Sequence, residues 1–218
     1  LIICDKILNN NKYIKKNIKK IKTRFIQFSK EPTYELLDIE IKQIKKIKDL
    51  DCIIAIGGGS SIDFGKGIAL LYKNKGPSLK YMGFPNKINQ PLPVIAIPST
   101  VSTGSEVIYN AVFTHEKGKK KLGINSDKNF PILSILDTNL IKTAPYSIIL
   151  QSAIASLVRS IETYTSVDAN EMTKFFSIKS FELIIRAFQE RKKSDKFYQN
   201  LQWGCIFSMF ALSNSSPG

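Results

Sequence analysis

The segment Cys52-Ile53-Ile54-Ala55-Ile56-Gly57-Gly58-Gly59-Ser60-Ser61 decides the fold, because an unbroken apolar run passes directly into three glycines. Five apolar residues in succession, Cys52–Ile56, predict a strand of a parallel sheet that is buried on both faces. A helix is predicted to follow from about Ile62 to Tyr72. A strand, a glycine-rich turn and a helix in this order form the repeating unit of doubly wound α/β domains.

Further strand and helix patterns lie on both sides of this unit. Strands are predicted over Leu1–Cys4, Phe25–Phe28 and Val94–Ile97, and helices over Asn11–Lys22, Leu36–Lys48, Ile148–Phe188 and Tyr198–Leu212. The sequence therefore predicts a Rossmann-like, doubly wound α/β domain with a mostly parallel sheet in residues 1–145. An all-α domain is predicted in residues 146–218.

The composition is that of a globular protein with a strong basic bias. The chain has 218 residues, 43% apolar and 23% charged, and a formal net charge of +14. These values exclude a disordered chain, and no apolar run is long enough to cross a bilayer, so no membrane partner is expected. Because the sequence begins with Leu1 and not Met, we expect an excerpt of a longer polypeptide.

Most of the charge comes from clustered lysines, only four of the 32 basic residues being arginine. Solvated helix faces explain such clusters, and the alternative is a polyanion-binding surface. Nucleic-acid binding is not expected, because arginine and aromatic residues are not interleaved with the lysines. Three cysteines without a spacing motif indicate a reducing, cytoplasmic compartment.

The glycine segment is the strongest functional signal. Glycines allow the backbone to approach a phosphate closely, and the N-terminus of the following helix offers free N–H groups to an anion. Ser60 adds a hydroxyl donor. A plain tight turn is the alternative, which three successive glycines at the end of a buried strand disfavour.

Three other features could belong to the same site. Asp5 follows a strand and could accept the hydroxyls of an adenosine ribose. Asp63 and Lys66 lie in the first two turns of the predicted helix, where they either face a ligand or complement the helix dipole. Five hydroxyl residues among Ser99–Ser105 could surround a polar ligand, or form an ordinary loop.

Four ordered motifs resemble the iron-containing alcohol dehydrogenases. Gly57–Lys66 matches that family's GGGSxxDxxK, and Pro98–Val107 resembles its P-T-T-x-x-T-G-S-E-V. Ile135–Leu140 resembles I-x-D-P-x-L, and Ile161–Tyr164 resembles I-E-A-Y. The likeness implies the dehydroquinate synthase-like architecture, with the family's first strand and helix upstream of Leu1. A closer likeness is to a subgroup around 3-deoxy-manno-octulosonate 8-oxidase.

The resemblance implies a cofactor site for NAD or NADP, with NAD favoured by Asp5. The residues it assigns to this site are Asp5, Gly57, Gly58, Gly59, Ser60, Asp63, Thr100, Thr103, Ser105, Lys121 and Leu140. It also implies a small alcohol or aldehyde substrate and a homodimer.

The resemblance departs from the family at the metal site. Two ligand positions, an Asp and a His four residues apart, fall on Ala155 and Arg159. Alanine has no donor atom, and a guanidinium repels a divalent cation. We therefore expect no metal. Arg159 is the candidate catalytic residue in its place, or else an ion-pair partner of Glu162 or Asp168.

Three functions remain open on these observations. The first is an NAD(P)-dependent oxidoreductase acting on a small polar alcohol or aldehyde, such as an acidic sugar, without the usual metal. The second is a catalytically silent relative that retains dinucleotide binding as a sensor or partner subunit. The third is a lyase of the related sugar cyclases, whose signature the sequence does not match.

Overall fold

The computed structural model describes residues 1–18, 21–26, 31–101 and 104–215. The chain divides into two compact units. One, the sheet unit, comprises Leu1–Ile97 and Ile108–Ile135. The other, the helical unit, comprises Pro98–Val107 and Leu136–Gly218.

A five-stranded sheet forms the centre of the sheet unit. Its strands and those of a separate hairpin are β1 (Ile2–Asp5), β2 (Thr23–Ile26), β3 (Ile53–Gly57), β4 (Val94–Pro98), β5 (Ala111–His115), β6 (Lys120–Ile124) and β7 (Leu133–Ser134). The sheet order is β2-β1-β3-β4-β7. Strand β1 runs parallel to both β2 and β3, and β4 runs parallel to β7. The predicted α/β class with a parallel sheet is confirmed.

Three helices accompany the sheet: α1 (Lys12–Ile18), α2 (Tyr34–Ile44) and α3 (Gly59–Lys73). Leu37, Ile41 and Ile44 are buried on α2, which ends at Ile44 and not at the predicted Lys48. Helix α2 starts earlier than predicted because the Thr33 side chain accepts a hydrogen bond from the Leu36 amide and caps it. Helix α1 ends before the predicted Lys22. Residues 19–20 of this predicted helix, and residues 27–28 of the second predicted strand, lie outside the described residues.

Helix α3 lies unusually close to the sheet. It is buried from Ser61 to Leu71, so no face of it shows the polar stripe of a surface helix. A Cβ added at Gly65 would lie 2.6 Å from the Ala55 Cβ, and one at Gly67 would lie 2.7 Å from the Phe113 ring. Gly65 therefore allows the close approach of α3 to β3, and Gly67 allows that of α3 to β5.

The antiparallel hairpin of β5 and β6 was missed by the sequence analysis. Its register pairs Phe113 with Leu122 and Thr114 with Lys121. In β5, Ala111 and Phe113 are buried and Val112 between them is half-buried. Such alternation is typical of a strand and could have predicted β5. The lysine run Lys117–Lys121 concealed the second strand, because it reads as a solvated charge cluster.

The helical unit consists of α4 (Thr138–Ile141), α5 (Tyr146–Thr165), α6 (Glu171–Gln189) and α7 (Asp195–Ser213). The predicted all-helical character is confirmed. Asn170 and Ser194 cap α6 and α7 by accepting hydrogen bonds from the amides of Thr173 and Phe197. The core of the unit contains Val101, Ile141, Ile149, Ala153, Ile184, Ala187, Phe197, Tyr198, Leu201 and Cys205.

The division between the compact units falls earlier than the boundary predicted near residue 145. Leu136 already belongs to the helical unit, and so does the segment Pro98–Val107. The segment packs there because Val101 is buried in the core of the helical unit. The two-domain division at residue 145 stays a prediction for the whole protein.

Among the described residues, no helix combines the length and apolar character needed to cross a lipid bilayer.

The three cysteines should differ sharply in reactivity. Burial raises the pKa of Cys4 and of Cys205 to about 12, and both side chains are fully buried, whereas Cys52 is half-buried. Because the thiolate is the reactive species, we expect iodoacetamide at pH 8 to modify Cys52 first. Peptide mass spectrometry should find Cys4 and Cys205 labelled only after denaturation. Labelling of all three at one rate in the native protein would contradict this packing.

Candidate functional site

Gly57 ends strand β3 in a conformation that only glycine adopts readily. Its φ is +149°, and a Cβ at this position would lie 2.2 Å from the Ser61 Oγ. Backbone strain and a steric clash both exclude a side chain here. The glycine segment is therefore a sharp bend between β3 and α3 and not an extended linker.

The bend leads into a helix N-terminus without a side-chain cap. Gly58 occupies the cap position with φ −73° and ψ −175° and supplies no side-chain hydrogen bond. Its carbonyl accepts from the amides of Ser61 and Ile62, at 3.0 and 3.2 Å. The N-terminal amides and the positive end of the helix dipole can therefore receive an anionic group.

A second observation at this end of α3 is the side chain of Ser61. The residue is 1% exposed, and its hydroxyl has no hydrogen-bond partner among the described residues. Buried hydroxyls are normally paired. The sequence analysis did not single out this residue, although its place directly after Ser60 was visible.

Asp5 lies beside the glycine bend, as the sequence analysis anticipated from its position after a strand. The β1–β3 register pairs Cys4 with Ile56, which places Asp5 opposite Gly57. A Cβ at Gly57 would lie 3.8 Å from the Asp5 Cβ. One carboxylate oxygen accepts a hydrogen bond from the Ile7 amide at 3.0 Å. A carboxylate and an anion-binding bend thus meet at the carboxyl edge of the sheet.

The bend, the uncapped helix end and the neighbouring carboxylate fit a dinucleotide. The amides suit its diphosphate, and a carboxylate on the adjacent strand suits the ribose hydroxyls.

Asp63 and Lys66 form a buried ion pair and do not cap the helix. The Lys66 Nζ donates to the carbonyls of Ile108 and Asn110, at 2.7 and 2.9 Å, and lies 3.9 Å from the Asp63 Oδ1. The other carboxylate oxygen of Asp63 accepts from the Val112 amide at 3.1 Å. These contacts attach the start of β5, and the residues just before it, to helix α3. A contact of Asp63 with the cofactor stays a prediction.

The remaining predicted cofactor residues lie in different surroundings. Lys121 is exposed on β6 with its Nζ 2.5 Å from the Glu31 carboxylate, and this hydrogen bond lowers the pKa of the Glu31 carboxyl. Ser105 and Leu140 are buried in the helical unit, where Thr100 is half-exposed. Thr103 lies outside the described residues. The roles assigned to these residues stay predictions.

Arg159 lies on α5, one turn after Ala155. Its Nη1 donates to the Ser208 Oγ at 3.2 Å, and that hydroxyl in turn donates to the Cys205 carbonyl at 2.7 Å. Burial lowers the pKa of Arg159, although the nearby Cys205 and Glu162 act in the opposite direction. An arginine remains charged even so. Pairing with Glu162 or Asp168 stays the alternative prediction for this arginine, and the Glu162 charge favours its charged form.

The two side chains that the resemblance places at a metal site do not suit a metal ion. In the described ranges, no three His, Cys, Asp or Glu side chains cluster in a way that could hold one. Ala155 offers no donor atom, and the Arg159 guanidinium is itself a cation. No chemical step through a metal is derived for this chain.

Comparison with known proteins gives the family. The family model described as "Iron-containing alcohol dehydrogenase" matches residues 1–138. The chain belongs to this family. It is 34% identical over 193 residues to the 4-hydroxybutyrate dehydrogenase of Clostridium kluyveri, covering 86% of this chain and 51% of that protein.

Two solved structures share the fold. The alcohol dehydrogenase from Oenococcus oeni matches with a TM-score of 0.90 and 26% identity, over 100% of this chain and 59% of its own. The sulfoacetaldehyde reductase from Bifidobacterium kashiwanohense, solved in complex with NAD+, matches with a TM-score of 0.83 and 25% identity. The match covers 96% of this chain and 57% of the reductase. The chain spans about half the length of the curated relatives it matches.

Loss of the buried ammonium of Lys66 should destabilise the sheet unit. We expect Lys66→Ala to reduce the free energy of unfolding by about 3 kcal/mol or more, because it leaves Asp63 and two carbonyls without their cation. Urea denaturation followed by circular dichroism measures the change. The exposed Lys42 on α2 is the control, and Lys42→Ala should change the free energy of unfolding by no more than about 0.5 kcal/mol. Equal effects for the two variants would contradict the buried pair.

Proposed function

We propose that this protein is an NAD(P)-dependent oxidoreductase that interconverts an alcohol and an aldehyde or ketone on a small polar substrate. The observation that carries the proposal is the Gly57 bend, with φ +149°, which leads into an uncapped helix N-terminus beside Asp5. The relatives support it, since their names are those of dehydrogenases and a reductase.

The bend and its neighbours would hold the cofactor. The amides after Gly57 and the Ser60 hydroxyl bind the diphosphate, and Asp5 accepts the hydroxyls of the adenosine ribose. A carboxylate at that place repels a 2′-phosphate, which favours NAD over NADP. Thr100, Thr103, Ser105, Lys121, Leu140 and Asp63 are assigned to the ribose and nicotinamide on the family resemblance. The nicotinamide supplies the hydride acceptor or donor.

Arg159 is proposed to act where the family uses its metal. A fixed guanidinium can stabilise the negative charge that develops on the substrate oxygen, as other preorganised cations do. The Ser208 hydroxyl holds the guanidinium from α7. Ala155, one turn away on α5, has no donor atom for a metal. The Arg159 guanidinium would therefore not have to compete with a metal ion for this position.

An acidic substrate suits this arrangement. Guanidinium binds carboxylates and related acids through two parallel hydrogen bonds. Two relatives bear names of substrates with such a group, 4-hydroxybutyrate and sulfoacetaldehyde. An acidic sugar, the substrate implied by the resemblance to the 3-deoxy-manno-octulosonate 8-oxidase subgroup, belongs to the same class.

A silent dinucleotide-binding relative is the second candidate. The observation that favours it is the lack of metal-binding groups at Ala155 and Arg159, because activation of the alcohol then depends on the arginine alone. Cytoplasmic location and a homodimer without a nucleic-acid partner stay predictions under both candidates.

Gly58→Val tests the cofactor site without straining the backbone. With φ −73° and ψ −175°, Gly58 lies in a region that valine also adopts. The added side chain occupies the approach to the helix N-terminus, so we expect NADH affinity to fall by about 100-fold or more. NADH fluorescence titration measures it, with the melting temperature as the control for folding. Undiminished affinity in a folded variant would refute the assignment of the bend.

Arg159→Ala separates the two candidate functions. In the oxidoreductase we expect turnover of acidic alcohols by the full-length protein to fall by about 100-fold or more, with NADH affinity within about twofold. Arg186, exposed on α6, is the matched control, and its alanine variant should keep full turnover. Wild-type turnover by Arg159→Ala would remove the arginine from the mechanism. NADH binding without turnover of any sugar acid or short alcohol would favour the silent relative.

Metal analysis tests the remaining part of the proposal. We expect the purified full-length protein to contain less than about 0.1 equivalents of iron or zinc, and added metal to leave turnover unchanged. A stoichiometric ion that chelators remove together with activity would show that other residues complete a metal site.

A further inference from the structure

The sheet unit contains a cavity of about 600 Å³ that has no part in the proposed function. It lies at the C-terminal end of α3, and five lysines line it: Lys73, Lys75, Lys80, Lys87 and Lys128. Its volume is that of a small-ligand site. Most other lining residues are also polar, asparagines and a serine among them, so an apolar ligand does not suit it.

A network of hydrogen bonds fixes the shape of this lysine pocket. The Asn74 side chain is 4% exposed, and its Nδ2 donates to the carbonyls of Leu70 and Asn89, at 2.8 and 3.1 Å. Its Oδ1 accepts from the Asn89 amide at 2.7 Å. The loop after α3 and the loop before β4 are therefore tied together. The Asn74 side chain thus holds these walls through backbone groups, and the Lys128 Nζ adds a hydrogen bond to the Ile88 carbonyl at 3.0 Å.

Positive charge in the pocket is not neutralised by its own lining. Asp127 is the only acidic residue among the lining residues. A further lysine stands close by, because the Lys45 Nζ donates to the Asn74 carbonyl at 2.9 Å. Its pKa is lowered, first by burial and then by the charge of Lys75. The charges of Lys45 and Lys75 thus repel each other, and an anion bound between the lysines would relieve that repulsion.

The lysine pocket and the glycine bend lie at opposite ends of one helix. Helix α3 has 15 residues, which corresponds to about 22 Å. A ligand the size of a diphosphate cannot occupy both places, so the two sites can be tested separately.

We propose that the lysine pocket binds a small anion that carries several phosphate or carboxylate groups. Ammonium groups on flexible stems recognise such ligands as point charges. The five lysines are spread over residues 73–128, so clustering in the sequence did not point to them. Both explanations of the lysine clusters stay open.

The test uses isothermal titration calorimetry of the full-length protein with tripolyphosphate and, in a second arm, citrate. We expect one equivalent of at least one of these anions to bind, more weakly as salt is added. If only tripolyphosphate saturates the protein, phosphate is the preferred group. If only citrate does so, carboxylate is the preferred group. Lys75→Gln/Lys87→Gln should weaken binding by about tenfold or more, because it removes two of the five lining lysines. Neither side chain makes a hydrogen bond or ion pair within the described ranges, so we expect the variant to keep its fold.

Two controls decide where the anion binds. Lys192→Gln/Lys196→Gln removes the same charge from exposed positions of the helical unit and should leave affinity within about twofold. Gly58→Val should also leave it unchanged. Equal weakening by the two lysine pairs, loss of binding in Gly58→Val, or no saturable binding by either anion would each overturn the proposal. NADH titration of the same variants reports separately on the cofactor site.

Discussion

The close approach of α3 to β3 is the constraint on which the sheet unit depends. It requires two positions without side chains, Gly57 at the bend and Gly65 against Ala55, while Gly67 allows Phe113 of β5 to approach the same helix. With the helix this near, its N-terminus lies directly at the carboxyl edge of the sheet, where parallel α/β domains place their ligands. The neighbouring strand β1 ends at the same edge and brings Asp5 to the bend.

The same closeness explains the buried charges. A helix covered on all sides has no solvent for a lysine, so Lys66 is retained only because two carbonyls and Asp63 satisfy its ammonium. Those carbonyls belong to Ile108 and Asn110, where the chain re-enters the sheet unit after the hydroxyl-rich segment. The Asp63–Lys66 pair therefore anchors one end of that segment, whatever contact Asp63 makes with a ligand.

Local patterns made much of this architecture predictable. The apolar run Cys52–Ile56 and the glycines after it predicted β3, the bend and α3, because a doubly buried strand and a phosphate-binding turn leave distinct marks in sequence. Asp5 lies at the end of β1 beside the bend, and its contact with a ribose stays a prediction. The hairpin was not predicted, since Lys117–Lys121 hides the second strand. The carbonyl partners of Lys66 and the hydroxyl partner of Arg159 were not predictable, because they lie 42 to 49 residues away in the chain.

The surroundings of Arg159 bear on the chemistry of the helical unit. A guanidinium has five N–H donors, and Ser208 receives a hydrogen bond from one of its nitrogens. Burial works against the charged form, whereas the nearby Glu162 charge supports it, and a bound anion would stabilise this buried cation further. A divalent metal would have the opposite effect, because it adds like charge. The proposal that Arg159 stands where the family holds its metal therefore implies a substrate that carries its own negative charge, and not one whose oxygen a metal polarises.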